Sequence, residues 1–152
     1  MKNLKQYLLE VIVTKKKNEK IYSIADYIVD SLLTHGFTIQ RYNAYKSSSV
    51  YLKLDFGVCN SIRISDHDGK EHLCYRYNLI IGCSNDIVEE KYIRYYYNES
   101  SVNDLLNLIL FDKREKIKKY GIANYRIFMN MNKNEHKNDE KGFWTQAKLI
   151  EN

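Results

Sequence analysis

The residues best able to do chemistry gather in the middle of the chain. Asp55, Asp66, Asp68, Glu71 and Lys70 supply carboxylates and an amine in a short stretch. Asp55 followed by Asp68-Gly69-Lys70 has the spacing of metal-dependent nucleases, where two carboxylates hold Mg²⁺ and a lysine assists the water. That chemistry needs the second acid and the lysine on a rigid strand. Asp68-Gly69 reads better as a turn, with both residues facing solvent. His67, His72 and Cys74, with Cys59 and Cys83, are zinc-ligand types, yet no short Cys-x2-Cys pair is present. No histidine and orienting acid stand beside a thiol to make a nucleophile. No catalytic residue, cofactor or metal is therefore assigned, and a binding protein is expected rather than an enzyme.

Binding chemistry is better represented. Tyr51, Lys53, Arg63, His72 and Arg76 fall at alternating strand positions, so one sheet face would interleave cations with an aromatic ring. That combination suits a backbone phosphate and a stacked base. Asp55 and Asp66 interrupt the face, and any solvated sheet shows mixed charge. Tyr92, Tyr95, Tyr96 and Tyr97 form a second candidate surface, since tyrosine is enriched at protein interfaces. An exposed edge strand there could also pair two copies. Lys15, Lys16 and Lys17 form a third. Residues 1–20 hold six lysines against two glutamates, whereas the other 132 residues hold 18 cations and 17 acids. The basic character is thus N-terminal. Lys113, Arg114, Lys116, Lys118 and Lys119 are explained by their place at a helix C-terminus, where cations meet the negative dipole end.

The elements that must position these residues follow from periodicity. Leu4, Leu8, Val11 and Ile12 give a short amphipathic helix over 3–14. Ser23 is the expected cap of a second helix with stripe Ile24, Tyr27, Ile28 and Leu32, ended by Gly36. The period then changes to two. Alternation predicts strands at 37–40, 50–56, 61–65 and 73–81, with a more exposed one at 92–97. Ser101 and Asp104 start a last helix that runs to Tyr120, with Gly121 as its stop. Residues 130–142 read as a polar loop, and Phe143-Trp144 as an anchor for the tail 143–152. The order helix, helix, strands, helix predicts one α+β domain over 1–152. Its core is 23–120, an antiparallel sheet of four to five strands with helices on one face.

Composition bounds the class. The chain has 152 residues, 44% hydrophobic and 28% charged, which is globular. No apolar run approaches the roughly 20 residues of a membrane span. The start lacks an apolar signal core, so free thiols in a reducing, cytoplasmic compartment are expected. Proline is absent, and Asn, Ile, Lys and Tyr make up 63 residues. Their A/T-rich codons point to a low-GC bacterium or its phage.

The stretches Ser47-Ser48-Ser49-Val50-Tyr51, Ser61-Ile62-Arg63-Ile64-Ser65-Asp66-His67 and Tyr77-Asn78-Leu79-Ile80-Ile81 carry a resemblance. Over residues 47–120 the chain resembles small phage and prophage proteins of low-GC Gram-positive bacteria. Among them are type II-A anti-CRISPR proteins, inhibitors of the RNA-guided DNA nuclease. The shared pattern is a serine-containing bend, a strand ending Ile-Arg-Leu-Ser-Asn-His, and an apolar return strand before a helix. Here Asp66 replaces Asn, and a lysine-bearing helix stands where the pattern has an Arg-rich tail. The resemblance implies an inhibitor that binds a CRISPR effector or its guide-RNA complex in the host cytoplasm. It implies a structural role for Ser65, Asp66 and His67, with Asp66 accepting turn amides. The alternative function is a nucleic-acid-binding domain or a guide-RNA-directed ribonuclease.

Overall fold

The computed structural model describes residues 3–6, 17–44, 49–65, 75–80, 92–97, 99–135 and 146–151. At the start, Asn3 and Gln6 exchange side-chain-to-backbone bonds of 2.9 and 3.0 Å, a reciprocal cap on the turn at 4–6. Leu4 there packs against the core. The rest of the expected first helix, with Lys15 and Lys16, lies outside the described residues.

Helix α1 spans Lys17–Leu33, so Ser23 lies inside it instead of capping it. Lys17-Asn18-Glu19-Lys20 contains no breaker, and Ile21 belongs to the same stripe as Ile24, Ala25, Ile28 and Leu32, all buried. Burying each of the larger side chains is worth roughly 1.5–3 kcal/mol. Gly36 ends the helix as expected, at φ +79°, and the Phe37 amide returns to the Leu32 carbonyl.

Among the described residues, six strands follow from residue 39 onward: β1 Ile39–Asn43, β2 Val50–Leu54, β3 Ser61–Ile64, β4 Tyr75–Ile80, β5 Tyr92–Tyr97 and β6 Lys148–Ile150. They form one antiparallel sheet in the order β5-β4-β3-β2-β1-β6. The sixth strand comes from the tail and extends the expected sheet beyond β1. Val50, Leu52 and Leu54 of β2, with Ile62 and Ile64 of β3, are buried on one face. Helix α2, Val102–Tyr120, covers them with Val102, Leu105, Leu106 and Ile109. The class is α+β.

Three further boundaries differ from the sequence expectation. Strand β1 covers Ile39–Asn43 and not 37–40, because the Phe37 amide is taken by the helix end at Leu32 and the Thr38 amide by Asp55. Gly121, at φ +85°, ends α2, but the chain at once begins α3, Ile122–Glu135. Residues 130–135 are therefore helix and not loop. Tyr125 and Asn132 anchor that helix to the turn after β2, which compensates its weak propensity. Strand β2 also stops at Leu54, before the predicted 56. Asp55, Phe56 and Asn60 have φ of +50°, +54° and +68°, with Gly57 at +91°. Such a run of left-handed residues is costly and persists only where the surroundings hold it.

Candidate binding face of the sheet

In an antiparallel sheet, residues directly opposed on neighbouring strands share a face. On the face away from the core, the register aligns Tyr42, Tyr51, Arg63, Arg76 and Tyr96 in one row across five strands. The next row holds Gln40, Lys53, Ser61, Asn78 and Arg94. Four of the sequence-predicted contacts, Tyr51, Lys53, Arg63 and Arg76, thus lie together as expected. The described strands contain six cations (Arg41, Lys53, Arg63, Arg76, Arg94 and Lys148) and no Asp or Glu. Arg41 and Lys148 oppose each other on the helix side, where Arg41 pairs with Asp26 of α1. The outer face keeps the other four.

Tyr51, Lys53 and Arg63 are half-buried. The Tyr42 and Tyr51 rings lie 6.5 Å apart at 49°. Burial lowers the Lys53 ammonium from the usual lysine range, and Glu135 partly offsets this. Among the described residues, the buried side-chain polar atoms without a hydrogen bond are Gln40 Oε1 and Arg63 Nε. Both belong to this outer face. Each unpaired group of this kind costs roughly 1–3 kcal/mol. Arg63 and Arg76 are moreover like charges in directly opposed positions, which destabilises a sheet on its own. Tyr42 also stands on the wall of an open groove of 390 Å³ beside Asn43, Gln146 and Lys148.

The tyrosine strand divides between the faces. Tyr92 and Tyr96 take outer positions, while Tyr95 and Tyr97 oppose Tyr77 and Tyr75 in the helix-side rows. Tyr97 packs against the core, so it does not belong to an outer binding surface. Lys17 opens α1. Ser65, expected on the exposed face, is buried, because the strand ends at Ile64. It accepts a hydrogen bond of 2.9 Å from the Ser49 hydroxyl. Asp66, His67, Cys74 and Cys83 lie outside the described residues, as do Asp68, Lys70, Glu71 and His72.

Asp55 does not interrupt the outer face. The left-handed turn carries it inward, where it is fully buried. Its carboxylate accepts from the Thr38 amide at 2.9 Å, from the Tyr125 hydroxyl, and from Lys113 Nζ at 2.9 Å. Lys113 also donates to the Gly36 carbonyl and sits 4.1 Å from the Phe37 ring centre. A second pair adjoins it. Asp112 accepts from Lys116 at 3.0 Å and from Asn60 at 3.1 Å, and Lys116 donates to the Val58 carbonyl at 2.8 Å. Cys59 is a buried thiol outside any disulfide, beside Asp112. Burial, reinforced by Asp112, pushes that thiol well up, and burial does the same to the Tyr125 phenol.

This cluster corrects the dipole explanation for Lys113 and Lys116, which point into the protein. Their spacing held the signal, because they continue the buried stripe of α2 four and seven residues after Ile109. The cluster offers substrate no access, since Asp55 and Tyr125 are closed to solvent. Its chemistry is structural: it fixes the turn that joins the strands carrying Lys53 and Arg63. Among the described residues, no three His, Cys, Asp or Glu side chains converge as metal ligands would. No described helix is long and apolar enough to cross a membrane. Comparison with protein families, with curated proteins and with solved structures finds no match to this chain.

Proposed function

We propose that this protein is a stoichiometric inhibitor that binds an RNA-guided nuclease, or its guide-loaded complex, and blocks DNA targeting. The observation that carries the reading is the outer face: two aligned rows with four cations, bordered by tyrosines and free of strand carboxylates. A guide-loaded nuclease presents dense phosphate charge beside protein surface, and a basic, aromatic face complements both. The resemblance over residues 47–120 to type II-A anti-CRISPR proteins supports the same partner, in the cytoplasm of a bacterial host carrying a phage or prophage.

The test is DNA binding and cleavage by type II-A effectors, with the protein added before or after guide loading. Inhibition that saturates near one equivalent is expected. If none of the effectors loses DNA binding or cleavage at excess inhibitor, the reading fails.

A further inference from the structure

From the register and the unpaired atoms of the outer face, we infer that its ligand is single-stranded nucleic acid. One phosphate sits at the opposed Arg63 and Arg76, and a base stacks on Tyr51. The inference deepens the proposed function by naming the chemistry this face recognises, and it rests on the same surface.

Three observations converge. First, Arg63 and Arg76 are directly opposed like charges with no acid on the described strands, so an anion bound between them would relieve their repulsion. Second, the row runs from Tyr42 and Tyr51 through the arginines to Tyr96, so aromatic positions flank the cation pair on both sides. At roughly 4.8 Å per strand, the five positions span about 19 Å, enough for several nucleotides to lie across the strands. Third, the unpaired atoms are a donor, Arg63 Nε, and an acceptor, Gln40 Oε1. A phosphate oxygen satisfies the first and a base amino or imino group the second. Reaching both takes a rotamer change in two flexible side chains. A simple anion would use the donor alone.

A duplex fits less well. Its bases already stack on one another, and its edges lie within grooves, so a broad sheet face meets only its phosphates. Single strands leave the base faces free, and every base has a face that stacks on tyrosine.

The experiment measures fluorescence anisotropy of the full chain with a labelled 20-nucleotide single-stranded RNA of mixed sequence, and with the same sequence as a duplex. No nuclease is present, so its outcome is independent of the inhibition assay. Binding that weakens with salt and favours the single strand is expected. Arg63→Gln with Arg76→Gln should lower the slope of log affinity against log salt by about 0.7, the release expected for one phosphate on a single strand. Arg114→Gln with Lys118→Gln removes equal charge from α2 and should leave the slope nearly unchanged. Tyr51→Ala should weaken binding about tenfold, with Tyr51→Phe close to wild type. Thermal unfolding of every variant checks that it is folded. Absent binding, equal affinity for the duplex, or an equal slope change from the α2 pair would each overturn the inference. Inhibition of a nuclease without RNA binding would leave the proposed function standing and this inference refuted; RNA binding without inhibition would do the reverse.

Discussion

Replacing Asp55 by asparagine isolates the charge at the centre of the closed cluster. Asparagine has the same shape and tolerates the left-handed φ of +50°, so backbone strain is held constant. The carboxylate loses its ion pair with Lys113, whose side chain is only 15% exposed. Removing one partner of a buried pair usually costs roughly 3–5 kcal/mol. Here the Gly36 carbonyl and the Phe37 ring still face the ammonium, so the lower end, about 3 kcal/mol, is expected. At an m-value near 2 kcal/mol/M, that is a fall of about 1.5 M in the urea midpoint. For a chain of this size it is also about 6–12 °C in melting temperature. Asp55→Asn combined with Lys113→Met should recover part of the loss, because neither charge is then left alone, with a coupling of about 1–3 kcal/mol. Circular dichroism in urea at unchanged m reads all four proteins. A loss under about 0.5 kcal/mol, or a double variant that is simply additive, would refute the buried pair.

Other outcomes follow from single features. Gly57→Ala should cost more than Gly36→Ala in denaturant unfolding. Both have positive φ, but a Cβ at 57 would lie 2.8 Å from Lys53 Cε, whereas at 36 it meets nothing. About 1 kcal/mol is expected at 36 and slightly more at 57, where the end of the flexible Lys53 side chain must move aside. Stability should be level below the unfolded thiol value of about 8.5 and fall above it, by roughly 1.4 kcal/mol per pH unit. There the unfolded chain releases the Cys59 proton while the folded chain keeps it. Cys59→Ala should move the start of this decline up towards the tyrosine range, read by urea unfolding between pH 7 and 10. Arg63→Gln should leave the free protein as stable as wild type or slightly more so, since it removes a like-charge opposition; a clear drop in melting temperature would count against that reading. A chain beginning at Lys17 loses the Leu4 contact but keeps α1. It should fold cooperatively with a melting temperature a few degrees lower, and loss of the transition would make the N-terminal segment a core element.

Local patterns made much of this fold readable. Alternation in 50–54 and 61–64 fixed which face is buried, and with it the company of Tyr51, Lys53 and Arg63. Gly36 and Gly121 both take the positive φ that their positions after apolar helical stripes predict. What stayed hidden depends on contacts between distant residues. β6 has three residues, too few for a period, and exists because β1 offers an edge. α3 is rich in asparagine, and its tie to the turn at 55–57 is a tertiary bond. Asp55 obeyed the strand alternation in sequence, yet three left-handed residues reversed its direction. Lysines in a helix's last turns look solvated, and only their coincidence with the apolar stripe marks Lys113 and Lys116 as inward.

The pairing of β6 with β1 also has a kinetic side. Ile39 meets Ile150, so the outer side of β1 must wait for more than a hundred further residues to be made. At ordinary elongation rates that is roughly 5–20 s during which a nascent chain presents an unsatisfied strand to its neighbours on the polysome. Arg41 lies on that strand, and a charged residue at a bare edge is a known guard against wrong pairing. Its partner Asp26 precedes it in the chain, so the ion pair can form before β6 is made and hold that charge in place along the bare edge.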